Sequence, residues 1–171
     1  MAARRTFTYF PQGGDPTGLV LAFREANSQV FKAGDLVYLA SQLLTLCGAD
    51  PTKILGIAME DATNVVAGHK YIPVQVIRPS DVWLTQFAGA NAFAVTDQDK
   101  GYGIVKTAAG LWEVDHAETG ANAMCVAVLQ SQEAAADGLR VPTNGGPILV
   151  KFIRISGTST DILQIDRTLT Y

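Results

Sequence analysis

The chain has little of what usually announces chemistry. Its 171 residues include two cysteines, Cys47 and Cys125, and two histidines, His69 and His116. A disulfide framework needs more cysteines in a smaller chain. Both thiols are therefore expected to be buried and free, which suits synthesis in a reducing cytoplasm; a Cys47–Cys125 bridge stays open as the alternative. The histidines fall in predicted turns without metal-ligand spacing, and no His-Glu-x-x-His or Cys-x-x-Cys occurs. No metal or cofactor is expected.

Charge of one sign is also scarce. The net charge is −3 and no block of like charges exists. Arg4-Arg5, the one local basic pair, is too small for the basic stripe of a nucleic-acid surface. No apolar run reaches the roughly 18 residues of a membrane-spanning helix. The first residues lack the apolar stretch of a signal peptide. Neither nucleic acid nor membrane is an expected partner.

Catalytic constellations are missing too. There is no Gly-x-Ser-x-Gly elbow and no Gly-x-x-x-x-Gly-Lys-Ser/Thr phosphate loop. Gly101-Tyr102-Gly103 leads into a strand, so no helix N-terminus is there to hold a phosphate. Asp97 to Gly101 lacks the flanking helices and later glutamate of a calcium loop and reads as a turn. Glu113, Asp115, His116 and Glu118 read as a solvated hairpin tip. The motifs of small trimeric nucleotide pyrophosphatases and of cupins are absent. Trp83 and Trp112 sit in apolar contexts and are expected in the core. The chain is not expected to be an enzyme.

What is present is β pattern: short alternating or continuous apolar runs bounded by turn residues. Strands are predicted over 18–23, 36–39, 43–46, 54–59, 71–77, 104–106, 111–114, 124–129, 148–155 and 162–165. Pro73 has no N–H to give, which places its strand at an edge or bulge. Helical signals are thin: 131–136 could make about two turns, and 88–94 is weakened by Gly89 and Asn91. A faint repeat relates the strands from Gly34 to Val76 to those from Gly103 to Phe152, with Val37 matching Val105, Leu44 matching Trp112, and Ile72-Pro-Val-Gln-Val matching Ile148-Leu-Val-Lys-Phe. The fold expected is all-β, a compact sandwich or barrel of two similar halves with little helix.

Residues 1–17 differ in texture. Arg4-Arg5-Thr6-Phe7-Thr8-Tyr9-Phe10 alternates aromatic and polar before Pro11-Gln12-Gly13-Gly14-Asp15-Pro16 breaks away. Two readings stand side by side: an extended N-terminal arm (1–17) preceding a β domain (18–171), or a first strand of the same domain. As an arm it would order only where a partner edge supplies main-chain hydrogen bonds. Its contact residues would be Arg4, Arg5, Phe7, Tyr9 and Phe10, and deleting residues 1–15 should leave the β domain folded.

Three segments resemble head decoration (cement) proteins of tailed bacteriophages: Phe31-Lys-Ala-Gly-Asp-Leu-Val-Tyr-Leu39, Ile54-Leu-Gly-Ile-Ala-Met-Glu-Asp-Ala62 and Ile72-Pro-Val-Gln-Val-Ile-Arg-Pro79. The resemblance lies in a Gly-Asp-Leu-Val-like strand followed by "Gly-Ile-Ala" and then "Ile-Pro-Val". Gly101-Tyr-Gly-Ile-Val, Leu111-Trp-Glu-Val-Asp115 and Met124-Cys-Val-Ala-Val-Leu129 carry it into the second half, so it covers about residues 30–155. It implies a structural virion protein, made in the host cytoplasm and added to the outer capsid surface. The implied partners are the major capsid protein and other copies of itself, as a homotrimer or a dimer. Binding would clamp neighbouring capsid subunits and stabilise the shell, with avidity from several grips at once. The alternatives are a tail, baseplate or head-fibre β module, or a small-ligand-binding β-barrel.

Overall fold

The computed structural model describes residues 7–10, 18–49, 51, 53–65, 70–78, 80–89, 91, 94–118, 126–131 and 147–153. Among these, regular structure is β apart from one 3₁₀ turn at Val95–Asp97. The strands are β1 (Thr8–Phe10), β2 (Val20–Arg24), β3 (Leu36–Ala40), β4 (Leu43–Leu46), β5 (Gly56–Ala58), β6 (Tyr71–Val76), β7 (Val82–Gln86), β8 (Gly101–Lys106), β9 (Trp112–Asp115), β10 (Val126–Ser131) and β11 (Pro147–Phe152). They form two sheets, ordered β2-β6-β5-β3-β4 and β1-β7-β11-β10-β8-β9. The all-β expectation holds. The suggested helix over 131–136 meets a strand at Ser131, and its other residues lie outside those described, as does the strand suggested over 162–165.

The two halves repeat in topology and in register. Without β1, the second sheet runs β7-β11-β10-β8-β9, the order of the first with each strand replaced by its counterpart. Leu21↔Val74 and Phe23↔Ile72 in the first sheet correspond to Trp83↔Val150 and Thr85↔Ile148 in the second. Val76↔Gly56 corresponds to Phe152↔Val126, Val37↔Gly56 to Tyr102↔Val126, and Leu39↔Leu44 to Ile104↔Val114. Following these four registers around the sheet fixes how its end strands must meet. The parallel bridge Glu25↔Leu44 should recur as Phe87↔Val114, and it does. Each sheet is thereby drawn closed by a contact between its first and last strands. The match of Ile72 to Val76 with Ile148 to Phe152 stands. Val37 corresponds to Tyr102 rather than Val105, and Leu44 to Val114 rather than Trp112. A single fixed offset cannot follow the unequal hairpin loops.

Those loops differ in chemistry. β3 and β4 are joined by Ser41 and Gln42, with φ of 49° and 67°, between the paired residues Ala40 and Leu43. Positive φ at both central residues is the signature of a type I′ turn, which matches the twist of the strands. Here it is made without glycine. The β8–β9 loop is longer, closed by the Thr107 amide donating to the Leu111 carbonyl at 2.8 Å. Gly110, at φ 77°, takes its left-handed position.

Alternation places Tyr102 and Ile104 on β8, Trp112 and Val114 on β9, Val126 and Val128 on β10, and Ile148, Val150 and Phe152 on β11 in one apolar cluster. Leu36, Cys47, Ile54, Ile57 and Ile77 of the first half pack into the same cluster, so the halves share a core. The other face of the first sheet is buried as well. Val37, Leu44, Ala58, Ile72 and Val74 pack there with Phe31 and Leu55 from the loops. Cys47 is buried, as expected, its thiol donating to the Lys53 carbonyl at 3.5 Å; Cys125 lies outside the described residues. Trp83 and Trp112 are core residues.

Pro73 corrects an expectation. Its strand, β6, lies between β2 and β5. Pro73 is tolerated in this interior strand because its pairing with β5 ends at Val74, one residue later. Its carbonyl still accepts from the Met59 amide at 2.9 Å.

Candidate interaction surface

Of the five residues proposed to contact a partner, Arg4 and Arg5 lie outside the described residues. The other three belong to the domain. β1 pairs antiparallel with β7, setting Thr8 against Leu84, Tyr9 against Trp83 and Phe10 against Val82. Phe7 is 2% exposed, its ring 5.2 Å from that of Phe152. Tyr9 meets Trp83 edge-on at 5.7 Å and is half-buried, as is Phe10. Of the two readings of the N-terminus, residues 7–10 thus form the strand. Phe7 has no face left for a partner, and deleting residues 1–15 would remove part of the core.

The polar residues singled out from the sequence hold elements together. Asp97 receives the Tyr102 hydroxyl at 2.7 Å and the Ala94 amide at 2.8 Å. His116 meets the Phe87 ring edge-on at 4.8 Å and stacks on Tyr102 at 5.3 Å. Its Nε2 is 3.2 Å from Asp97 Oδ1, without hydrogen-bond alignment. Burial acts to raise the Asp97 pKa. The hydrogen bonds from Tyr102 and Ala94, with the nearby imidazole, outweigh it and hold the carboxyl below its usual range. The Tyr102 hydroxyl is pushed well above its ordinary value by burial and by Asp97. The cluster pins the turn before β8 to the turn after β9. Glu113, by contrast, accepts from Gln86 Nε2, and Asp115 accepts from the Ala117 amide at 3.0 Å. Of the four residues read as one hairpin tip, Glu113, Asp115 and His116 thus serve separate contacts, and Glu113 is buried.

A second polar contact joins the halves. Asp35, 3% exposed, receives Trp112 Nε1 at 3.0 Å and Lys106 Nζ at 2.7 Å on one oxygen, and the Lys32 amide at 2.8 Å on the other. Lys106 also lies over the Trp112 ring, 5.8 Å from its centre. Charge-assisted hydrogen bonds of this kind contribute roughly 1.5–3 kcal/mol each. Two segments that carry the resemblance, Gly-Asp-Leu-Val and Leu-Trp-Glu-Val, meet at this contact. Among the described residues no group of three or more acidic, histidine or cysteine side chains could hold a metal ion.

Among the described residues, the exposed large apolar side chains lie in the first half. Val20 is 41% exposed, Leu21 37%, Val30 62%, Val65 41% and Tyr71 65%. Tyr71 pairs with Arg24 at the end of β2 farthest from Val20. The Ser28 amide bonds to the Val65 carbonyl at 2.9 Å, so the loops bearing Val30 and Val65 adjoin. β2 is exposed at Val20, Leu21, Ala22 and Arg24, with apolar side chains on both of its faces. Alternation cannot mark such a strand as a surface. The continuous run Val20-Leu21-Ala22-Phe23 is the one sequence signal that could have. No protein-family description matches the chain, and no curated protein is similar enough to count as a relative.

Proposed function

We propose that the chain is a structural virion protein that binds the outside of an icosahedral phage capsid and clamps neighbouring major capsid subunits. The observation that carries this reading is the succession of Gly-Asp-Leu-Val, Gly-Ile-Ala and Ile-Pro-Val segments over residues 34–76, with partial counterparts in the second half. Their positions in the fold support it: Asp35 and Trp112 of these segments link the halves, and the two-half domain is stiffened by a shared core. The described polar clusters are spent on structural contacts. The apolar side chains that the described residues expose on the first half suit attachment to a partner.

Clamping needs no catalytic group. A weak grip on one capsid subunit suffices, because a homotrimer or dimer makes each later grip intramolecular, raising avidity by about 10²–10⁴. The test is the thermal stability of phage heads assembled with and without this chain. Heads lacking it should rupture at lower temperature and be restored by adding the purified protein. Equal rupture temperatures with and without it would remove the function.

A further inference from the structure

We infer that the outer edge of β2, at Val20–Ala22, is an acceptor site for an extended strand from a different protein. The internal correspondence leads to this site. Val82, Trp83 and Leu84 of β7 correspond to Val20, Leu21 and Ala22 of β2, and on β7 those residues carry β1. The equivalent stretch of β2 carries no strand among the described residues, because β2 ends its sheet.

Backbone direction makes the stretch competent to pair. The Val76 amide bonds to the Leu19 carbonyl at 2.8 Å, and the Glu25 amide bonds to the Lys70 carbonyl at 3.0 Å. Odd-numbered residues of β2 therefore turn their main-chain groups toward β6, and Val20 and Ala22 turn theirs away. Just beyond, the Ala26 amide bonds to the Leu44 carbonyl at 2.9 Å, so β4 takes over the edge there. In the second half the Ala88 amide bonds likewise to the Val114 carbonyl at 2.8 Å. The open stretch is thus bounded as the one that holds β1 is bounded.

Side chains favour occupation. Val20 and Leu21 are among the exposed large apolar residues, and β2 has no lysine, proline or bulge to discourage pairing. The occupant's chemistry follows from β1. It runs antiparallel to β2 and sets an apolar or aromatic side chain opposite Leu21, as Tyr9 stands opposite Trp83. A second copy of this chain would have to take its β1 off β7, exposing the buried Phe7. β1 of a second copy is thereby excluded as the donor, and the occupant inferred is a strand of another protein, held by strand addition in which main-chain bonds give affinity and the alternate side chain gives selectivity.

The probe is a synthetic peptide, Thr6-Phe-Thr-Tyr-Phe-Pro11, added to isotope-labelled full-length chain and followed by residue-resolved amide exchange. Binding should slow exchange at Val20 and Ala22 at least about tenfold, the protection of a hydrogen bond worth roughly 1.4 kcal/mol. N-methylation of the peptide at its Thr8 and Phe10 positions should abolish this protection, whereas N-methylation at Tyr9 should leave it. The substitution Ala22→Pro should also abolish it, since the amide lost points away from β6; thermal unfolding of the variant reports whether the fold is kept. Peptide protection that avoids β2, or survives methylation at both Thr8 and Phe10, would overturn the inference. So would protection of Val20 and Ala22 in the chain alone, because the occupant would then be the chain itself, a second copy where the protection grows with concentration.

Discussion

Truncating Phe7 to alanine distinguishes a strand of the domain from an arm held for a partner. The ring is 2% exposed and packs against Phe152, which in turn meets Trp83 edge-on at 6.1 Å. Removing a phenylalanine ring from a packed core costs about 3–5 kcal/mol through lost transfer energy and the cavity left behind. β1 is three residues long at the end of its sheet and closes part of that cavity by relaxing. The expected loss is therefore about 2–4 kcal/mol. For a domain of this size each kcal/mol lowers Tm by about 2–4 °C, so Phe7→Ala should melt about 5–15 °C below the parent. Urea titration followed by tryptophan fluorescence gives the free energy directly. A change under about 0.5 kcal/mol would show that residues 7–10 are not held in the core, and the placement of β1 would be refuted.

Three further perturbations address other levels of the structure. Gly56→Ala should destabilise by at least about 1–3 kcal/mol, because the new methyl would meet the Gln75 carbonyl and come within 2.8 Å of Val74 Cγ1; an unchanged urea midpoint would contradict the close approach of β5 and β6. Gln42→Gly should stabilise by roughly 0.5–1 kcal/mol, since it relieves a left-handed non-glycine residue at some cost in unfolded-state entropy; a loss of stability in thermal melts would count against the turn. Asp97 has a folded pKa below its ordinary 3.8, so its stabilisation is full above that value and lost as pH falls through the lower folded one. Asp97→Asn should accordingly lose stability less steeply than the parent as pH falls below about 4, and parallel curves would dismiss the assignment.

Much of the fold could be read from alternation, because side chains on these strands point to opposite faces and the core selects one. Leu36, Ile104, Val114 and Ile148 announce their strands in this way. β7 escaped because Val82-Trp83-Leu84 is an apolar run of three residues, shorter than the runs that mark a buried strand. The repeat was visible as strand order, yet its register was not. Unequal loops, such as Ser41-Gln42 against the longer one containing Gly110, shift the strands by different amounts. Phe7 and Tyr9 were legible as apolar contacts but not as intramolecular ones, since a strand added in cis and one added in trans share a sequence texture. The open edge of β2 needs the topology, because only its correspondence with β7 shows what is missing beside it. Asp97 reads as a turn residue, and its burial rests on the hydroxyl of nearby Tyr102; that of Asp35 rests on Trp112, which distance along the chain conceals.

The most direct test of the proposed function is binding to the shell itself. Purified chain would be mixed with empty, expanded phage heads that lack it, and the particles pelleted and imaged by electron microscopy. The expected result is saturable binding at a fixed ratio to the major capsid protein, with density on the outer surface bridging neighbouring subunits. Particles that pellet bare at saturating concentrations of a folded chain would contradict the capsid-clamping account.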